Sequence, residues 1–482
     1  GQTLDEASLR VRRFRDRPAE EFLTFFWTGL GASASEDLTR QHYAAERDLG
    51  ARAAWTSEAD LSSDRDVLQD LGMSYARKPT GLGATCEPKR RPSSESSGAS
   101  EPADQQCPLF DDARKSSKLA QAARGAAADP SVFFYSLGDE QRGPGGDACF
   151  CPMAEQRFSA WLGHTYAGSL AKLNEAWGTR YGSFREATGM TAAQVLAHQS
   201  LGVSFAPWLD HRQFVHDSVA ERARALVETI RDVNPSAIVG ESGTAELTTQ
   251  SARDWSVMAR AYSGLAAYTG PQNLTQSGAN PELVSYRWTG YGKPNPWLRQ
   301  RIFAALADDT RGIGIFHASM LLNPNLTLSE SGRDLRGTLA QLNDGVGQLL
   351  ATSRAVVDPV AVLDSPCSVL SSHLLGLDAG AKPNQGLAQV TAKGWLALLR
   401  SLGVRYRSLP ERDLSTQGTA ALAGTRVLVL ATASCLSDAN AALIAQFVHG
   451  GGTLISDPQP GLLDEHGRRR ASRALAGVFG LP

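Results

Sequence analysis

Short apolar runs alternate with helical patterns eight times over the first 355 residues, and that rhythm constrains the fold more than any other feature of the chain. The runs lie at residues 21–27, 51–55, 73–76, 131–137, 236–240, 264–268, 283–288 and 312–316. Helical patterns separate them, among them residues 37–50, a helix end at 67–71 and a long amphipathic stretch over 211–232. Continuous apolar runs, rather than apolar-polar alternation, belong to parallel strands covered on both faces. Eight such units are what a (β/α)8 TIM barrel requires. The expected first domain is therefore a barrel over residues 1–355. Beyond Val356 the rhythm changes. Buried-type strands at 360–363, 404–409, 427–430 and 453–455 flank helices over 387–402 and 437–449. This predicts a second, doubly wound α/β domain over residues 356–482. Two insertions interrupt the barrel: a Pro/Ser-rich polar segment at 88–106, read as a loop, and an aromatic-rich, largely helical excursion at 149–208.

Composition excludes several classes. The charges, 48 Lys and Arg against 50 Asp and Glu, leave no electrostatic footprint for nucleic acid or an anionic membrane. No run of 18 apolar residues is present to span a bilayer as a helix. Six cysteines in 482 residues do not make a disulfide framework. The chain opens Gly1-Gln-Thr without an initiator Met, and both ends read as trimmed from something longer. Secreted and cytoplasmic locations both stay open.

The fourth run carries the chemistry. Val132-Phe-Phe-Tyr-Ser-Leu-Gly-Asp139-Glu140 delivers two carboxylates where a barrel strand ends, and barrel enzymes place catalysis at those carboxyl ends. An acid at the edge of an apolar strand has reason to hold its proton near neutral pH and so to protonate a leaving oxygen. The plainer reading is an acidic cap on the next helix. Glu241, in Val239-Gly-Glu-Ser-Gly-Thr244, reads as the end of the fifth strand, and Glu330 and Asp334 follow the eighth. For Glu330 a helix N-terminal acid is the plainer account. Trp27, Trp55, Tyr135, Tyr268, Tyr286, Trp288 and Tyr291 fall on the same face. Sugar rings stack on such side chains, while core packing is the plainer reading for Tyr135 and some others. Trp27, Trp288 and Tyr291 are expected to face substrate, and His317 and Asn323 to reach the same pocket.

Downstream of Glu140 the chain reads Cys149-Phe-Cys151-Pro, then Phe158-Ser-Ala-Trp-Leu162, then Leu173-Asn-Glu-Ala-Trp-Gly-Thr179-Arg-Tyr-Gly-Ser-Phe184. In order and spacing this resembles the β-galactosidases of glycoside hydrolase family 42. The resemblance implies a (β/α)8 glycosidase acting on carbohydrate, with an amidotransferase-like second domain that forms trimers. It puts Glu140 on the general acid/base and Asp139 on an Asn that hydrogen-bonds the sugar 2-hydroxyl. An ionised Asp only accepts, and its charge would raise the pKa of Glu140. The family's nucleophile is a Glu ending the seventh strand. Here residues 283–292 hold no carboxylate, and Glu282 stands at the wrong end. Glu241 is the substitute expected as second carboxylate, base or sugar ligand, because adjacent parallel strands bring side chains close. Glu330 is the next candidate.

The resemblance also implies a structural zinc. Cys107, Cys149 and Cys151 match three of its cysteines, but the fourth position falls in Pro152-Met-Ala-Glu155. Structural zinc wants four ligands, so the site looks incomplete unless Asp147 or Glu155 joins. No cofactor is required for the reaction. Cys435 falls where an amidotransferase carries its nucleophile, yet no His-x-Glu follows. Cys86, Cys367 and Cys435 read as isolated thiols, Ser437 or Asp438 as a helix cap, and the domain as non-catalytic. The reading is a hydrolase of a β-linked glycoside. The rivals are a catalytically weak or inactive carbohydrate-binding member of the same fold, which would lack the strand-seven nucleophile, and a scaffold that only oligomerises.

Overall fold

In the computed structural model, residues 22–30, 34–79, 109, 124–125, 127–140, 149–198, 204–243, 247, 251, 253–268, 280, 282–290, 295–307, 310–353, 356–375, 387–458 and 460–480 are described. Tyr291, Cys86, Cys107, Asp147 and the segment 88–106 lie outside them.

Eight parallel strands close a barrel: β1 (Leu23–Trp27), β2 (Ala53–Trp55), β3 (Ser74–Arg77), β4 (Val132–Asp139), β5 (Val239–Ser242), β6 (Gly264–Tyr268), β7 (Val284–Gly290) and β8 (Gly312–Phe316). β8 pairs back onto β1, Gly312 opposite Leu23 and Ile315 opposite Phe26. Aromatic rings fill the interior. Phe25 meets Trp288 at 4.9 Å and Tyr286 at 5.8 Å, and Trp55 meets Trp288 at 5.1 Å between ring centres. Rings that large leave no room for side chains on part of the wall. A Cβ on Gly314 would stand 2.4 Å from Phe25 and 2.6 Å from Trp288. The glycine-rich eighth strand is thus the complement of the aromatic core.

The fifth strand differs from expectation. It starts at Val239 rather than at residue 236 and runs through Glu241 to Ser242. Glu241 is therefore a strand residue and not the start of a loop.

The excursion after β4 contributes helices Pro152–Thr165, Leu170–Trp177 and Ala192–His198, which pack on the long helix Ala206–Arg231. Asp210 on that helix accepts hydrogen bonds from Trp177 Nε1 (2.7 Å) and the Tyr166 hydroxyl (2.6 Å). Among the described residues no helix is long and apolar enough to cross a membrane.

The second domain is a parallel sheet in the order β10-β9-β11-β12, with β9 Val360–Asp364, β10 Arg407–Pro410, β11 Val427–Leu430 and β12 Thr453–Ser456. The chain leaves β9 toward β10, then crosses to β11 on the other side, the doubly wound pattern expected. Contacts bind it to the barrel: Arg412 to Asp217 at 2.9 Å, His466 to Asp210 at 3.2 Å, Arg400 to the Ala304 carbonyl at 3.2 Å, and Arg260 to Asp413. Ser437 caps the helix Asp438–His449, accepting from Asn440 N. Cys367 and Cys435 are not isolated: Ser371 Oγ lies 3.2 Å from Cys435 Sγ and 3.8 Å from Cys367 Sγ. The left-handed residue beyond β11 is Thr432 (φ 60°), whose amide and hydroxyl both donate to Asp457.

Candidate active site

The apolar run of β4 ends on Asp139, and Glu140 turns out of the sheet with φ 46°. A left-handed backbone costs a non-glycine residue about 1–2 kcal/mol, so its surroundings must hold it. They do so at three points. Glu140 N donates to the Ser242 carbonyl at 2.9 Å, tying β4 to β5. The Tyr268 hydroxyl, at the end of β6, donates to Glu140 Oε1. Gly243, φ +64°, closes β5 against both: a Cβ there would lie 2.9 Å from Asp139 Oδ1, 2.9 Å from Glu140 Cγ and 3.0 Å from the Tyr268 hydroxyl. Three consecutive strands thus bring two carboxylates and a phenol around one point.

Asp139 and Glu140 both remain exposed at the barrel mouth. Asp139 is nonetheless crowded enough that desolvation raises its carboxyl above the usual range, and the charge of Glu140 adds to this. A Ser242 hydrogen bond and Lys78 pull the other way.

Next to the pair lies an aromatic floor. Trp27 sits 6.0 Å from Trp288 and 5.8 Å from Phe316 between ring centres. Trp27 and Phe316 are half-buried, while Trp288 is buried and donates its indole N–H to Ser242 Oγ at 3.2 Å. Trp288 was expected to face substrate; it instead supports the floor from beneath, because its parity on β7 points it into the barrel. Tyr135 has the opposite parity and packs outside the barrel, its hydroxyl donating to the Ala127 carbonyl at 3.3 Å. His317 follows Phe316 at the rim, half-buried, its Nδ1 accepting from Ser319 N at 3.2 Å. Desolvation lowers its pKa, so it is a neutral imidazole at neutral pH. Asn323 is spent on a turn, donating to Thr327 Oγ1 and the Leu328 carbonyl.

Glu241 requires a correction. Side chains alternate across a strand. Ser242 faces the barrel interior, so Glu241 faces out into the helix layer. It is fully buried there, 3.1 Å from Arg253 Nη1, and accepts from the Tyr262 hydroxyl at 3.1 Å. It cannot reach Glu140's pocket. The sequence placed the strand end too early and so took an outward residue for a rim residue. Glu330 is exposed in the first turn of the helix Glu330–Gln341, whose N-cap is Ser329. That is the helix-terminal role weighed against it, and the same helix carries Asp334. Of the acids just past β2, Glu58 is paired with Arg77 at 2.7 Å. Glu46, the other buried acid near the rim, is taken by the Thr28 hydroxyl and by His42 Nε2 at 2.9 Å.

Cys149 is buried, and Cys151 stands half-buried at the N-cap of the helix Pro152–Thr165. Among the described residues no group of three His, Cys, Asp or Glu side chains could hold a metal ion. Two thiols fall short of the four ligands of structural zinc, so these residues do not by themselves fit the metal.

A closed parallel barrel carries an acid pair at the end of β4 and is followed by a doubly wound second domain. Residues 102–267 match the family model of glycoside hydrolase family 42, described as beta-galactosidase. That match takes in β4, the cysteine segment, β5 and most of β6, and stops before β7. Among solved structures, the β-galactosidase of Rahnella sp. R3 superposes with a TM-score of 0.70 at 15% identity, covering 95% of this chain and 75% of that one. The β-galactosidase of Halorubrum lacusprofundi gives 0.63 at 16%, covering 95% and 76%. An exo-carrageenase from Bacteroides ovatus gives 0.57 at 13%, covering 96% and 69%. No curated protein sequence matches the chain.

Proposed function

We propose that this protein hydrolyses a β-linked glycoside, with a β-galactoside as its first substrate class and Glu140 as general acid/base. The observation that carries the reading is the Asp139–Glu140 pair at the end of β4, held by Tyr268, Ser242 and Gly243 inside the segment that matches the family model. Glu140 protonates the leaving oxygen as the glycosidic bond breaks. Asp139 accepts a hydrogen bond from a sugar hydroxyl beside it. Trp27 and Phe316 offer ring surface to the apolar face of the sugar, and neutral His317 adds a polar group at the rim.

The stereochemistry of the product tests this directly. A retaining enzyme needs a second carboxylate roughly 5–5.5 Å from the acid, whereas an inverting one needs roughly 6.5–9.5 Å for water. The anomer first released from an aryl β-galactoside, read by proton NMR, shows which of the two spacings applies. If no aryl β-glycoside is turned over while free sugars still bind, the non-catalytic, carbohydrate-binding reading replaces this one.

We also propose that the chain assembles as a homotrimer. What supports association is exposed apolar surface where the barrel leads into the second domain: Leu349 at 66%, Val356 at 87% and Leu402 at 67% exposed. Light scattering should return three times the 51.4 kDa of one chain; a monomer at micromolar concentration would remove the proposal.

A further inference from the structure

The second domain has a crevice that the glycosidase reading does not use. In an open doubly wound sheet, ligands bind outside the carboxyl ends of the strands, where the strand order reverses. Here that point lies between β9 and β11, because the chain goes from β9 to β10 on one side and to β11 on the other. A cavity of about 770 Å³, open mouth included, stands at this place. Asp364, which ends β9, and Ala431, just past β11, line it. The barrel closes its other side with Arg253, Asp254 and Trp255, the start of the helix Trp255–Ala261. Its place between two domains is one that small-molecule sites favour.

The lining specifies the ligand. Val362, Val369, Leu396 and Trp255 make much of the wall apolar. Among the polar groups, Arg253 pairs with Glu241, Asp254 caps its own helix through Ser256 N at 2.9 Å, and Gln389 donates to the Leu247 carbonyl. Lys393 makes contacts of its own. Asp364 is different: among the described residues no hydrogen bond or ion pair reaches its carboxyl. Burial, and then the Asp254 charge, push it up to about 7, and no cation offsets them. Asp364 keeps some accessible surface. That surface opens into the crevice, so the carboxyl still titrates as a buried group. Glu411, outside that lining, is also pushed up to about 7 by burial, with hydrogen bonds from Ser365 and Asn440 opposing. A crevice with apolar walls, an unpaired Asp364 beside Asp254, and Arg253 and Lys393 engaged by other groups can take a cation that also buries hydrocarbon.

We propose that this crevice binds a small organic cation, a primary or secondary ammonium on an apolar body, with Asp364 as its counter-ion. Calorimetric titration of the full chain with n-hexylammonium tests it, with 1-hexanol and hexanoate as controls. The ammonium should bind and the two controls should not. Asp364→Asn should keep the fold, since it removes an unpaired acid, and should weaken binding roughly 10- to 100-fold, the worth of a hydrogen bond to a charged group. Leu396→Trp, which fills the apolar wall, should abolish binding while hydrolysis at the barrel mouth continues. Equal binding of 1-hexanol, an unchanged affinity in Asp364→Asn, or no binding of the ammonium at millimolar concentration would each overturn the proposal.

Discussion

Replacing Gly243 by Ala is the smallest change that should damage the active site, and its effect follows from the distances around it. The new methyl would stand 2.9 Å from both Asp139 Oδ1 and Glu140 Cγ, and 3.0 Å from the Tyr268 hydroxyl. Ordinary contact needs roughly 3.5 Å or more between carbon atoms, so each neighbour must retreat by about half an ångström. The backbone adds its own cost, because φ +64° is disfavoured for Ala by about 1–2 kcal/mol. The fold should survive that loss. Catalysis should not survive unharmed, since a 1 Å misplacement of a reacting group can cost about 100-fold. A 10- to 100-fold fall in kcat on an aryl β-galactoside is therefore expected, with near-native circular dichroism and a lowering of Tm by a few degrees at most. Wild-type kcat in a folded Gly243→Ala protein would refute the claim that these three side chains form the working site.

Tyr268→Phe removes the phenol that donates to Glu140 and should cut kcat roughly 10- to 100-fold with a smaller change in KM; steady-state kinetics on one substrate checks this, and a KM effect alone would count against it. Arg253→Met strands Glu241 as a buried, uncompensated charge, so urea unfolding should show a loss of about 3–5 kcal/mol, which Glu241→Gln in the same chain should partly restore. Asp364 and Glu411 hold their protons in the folded state up to about pH 7, while the unfolded chain releases them near 3.8 and 4.5. The folded state therefore binds more protons across that window, and stability should fall as pH rises from about 4 to about 7 and then level off. Asp364→Asn should flatten part of that fall in denaturant titrations, and an unaltered profile would contradict the assignment.

The barrel was legible because parallel strands buried on both faces leave uninterrupted apolar runs. β6 and β8 stand at the residues expected, and the others lie within a few residues. The doubly wound domain was legible for the same reason. Glu140 was legible because an apolar strand that runs into two acids must set them at its carboxyl end, the face on which a barrel keeps its chemistry. Glu241 was not, because face depends on strand parity: a start at residue 236 or at Val239 gives the same apolar run, but only the latter keeps Glu241 inside the strand, facing the helices. Trp288 failed because β7 runs on past it to Gly290, which leaves its ring buried inside the barrel beneath the rim. Tyr268 was noticed as one aromatic among seven, yet no pattern in the chain announced that its hydroxyl reaches Glu140, a partner 128 residues away. Gly243 carried a signal that could have been read, since Gly-Glu-Ser-Gly closing a strand suggests a residue needing positive φ. The crevice at β9 and β11 depends on strand order and on barrel side chains brought against it, and neither is written locally.

The central claim is that Glu140 gives its proton to the leaving oxygen, and the dependence of rate on leaving group measures this most directly. Wild type and Glu140→Gln should be compared on aryl β-galactosides whose phenols span a wide pKa range. Phenols that leave readily need little protonation. Glu140→Gln should therefore lose orders of magnitude on poor leaving groups and much less on the best ones, giving a steeper plot of log kcat/KM against phenol pKa. An equal loss across the series would contradict the acid role and leave Glu140 a binding residue.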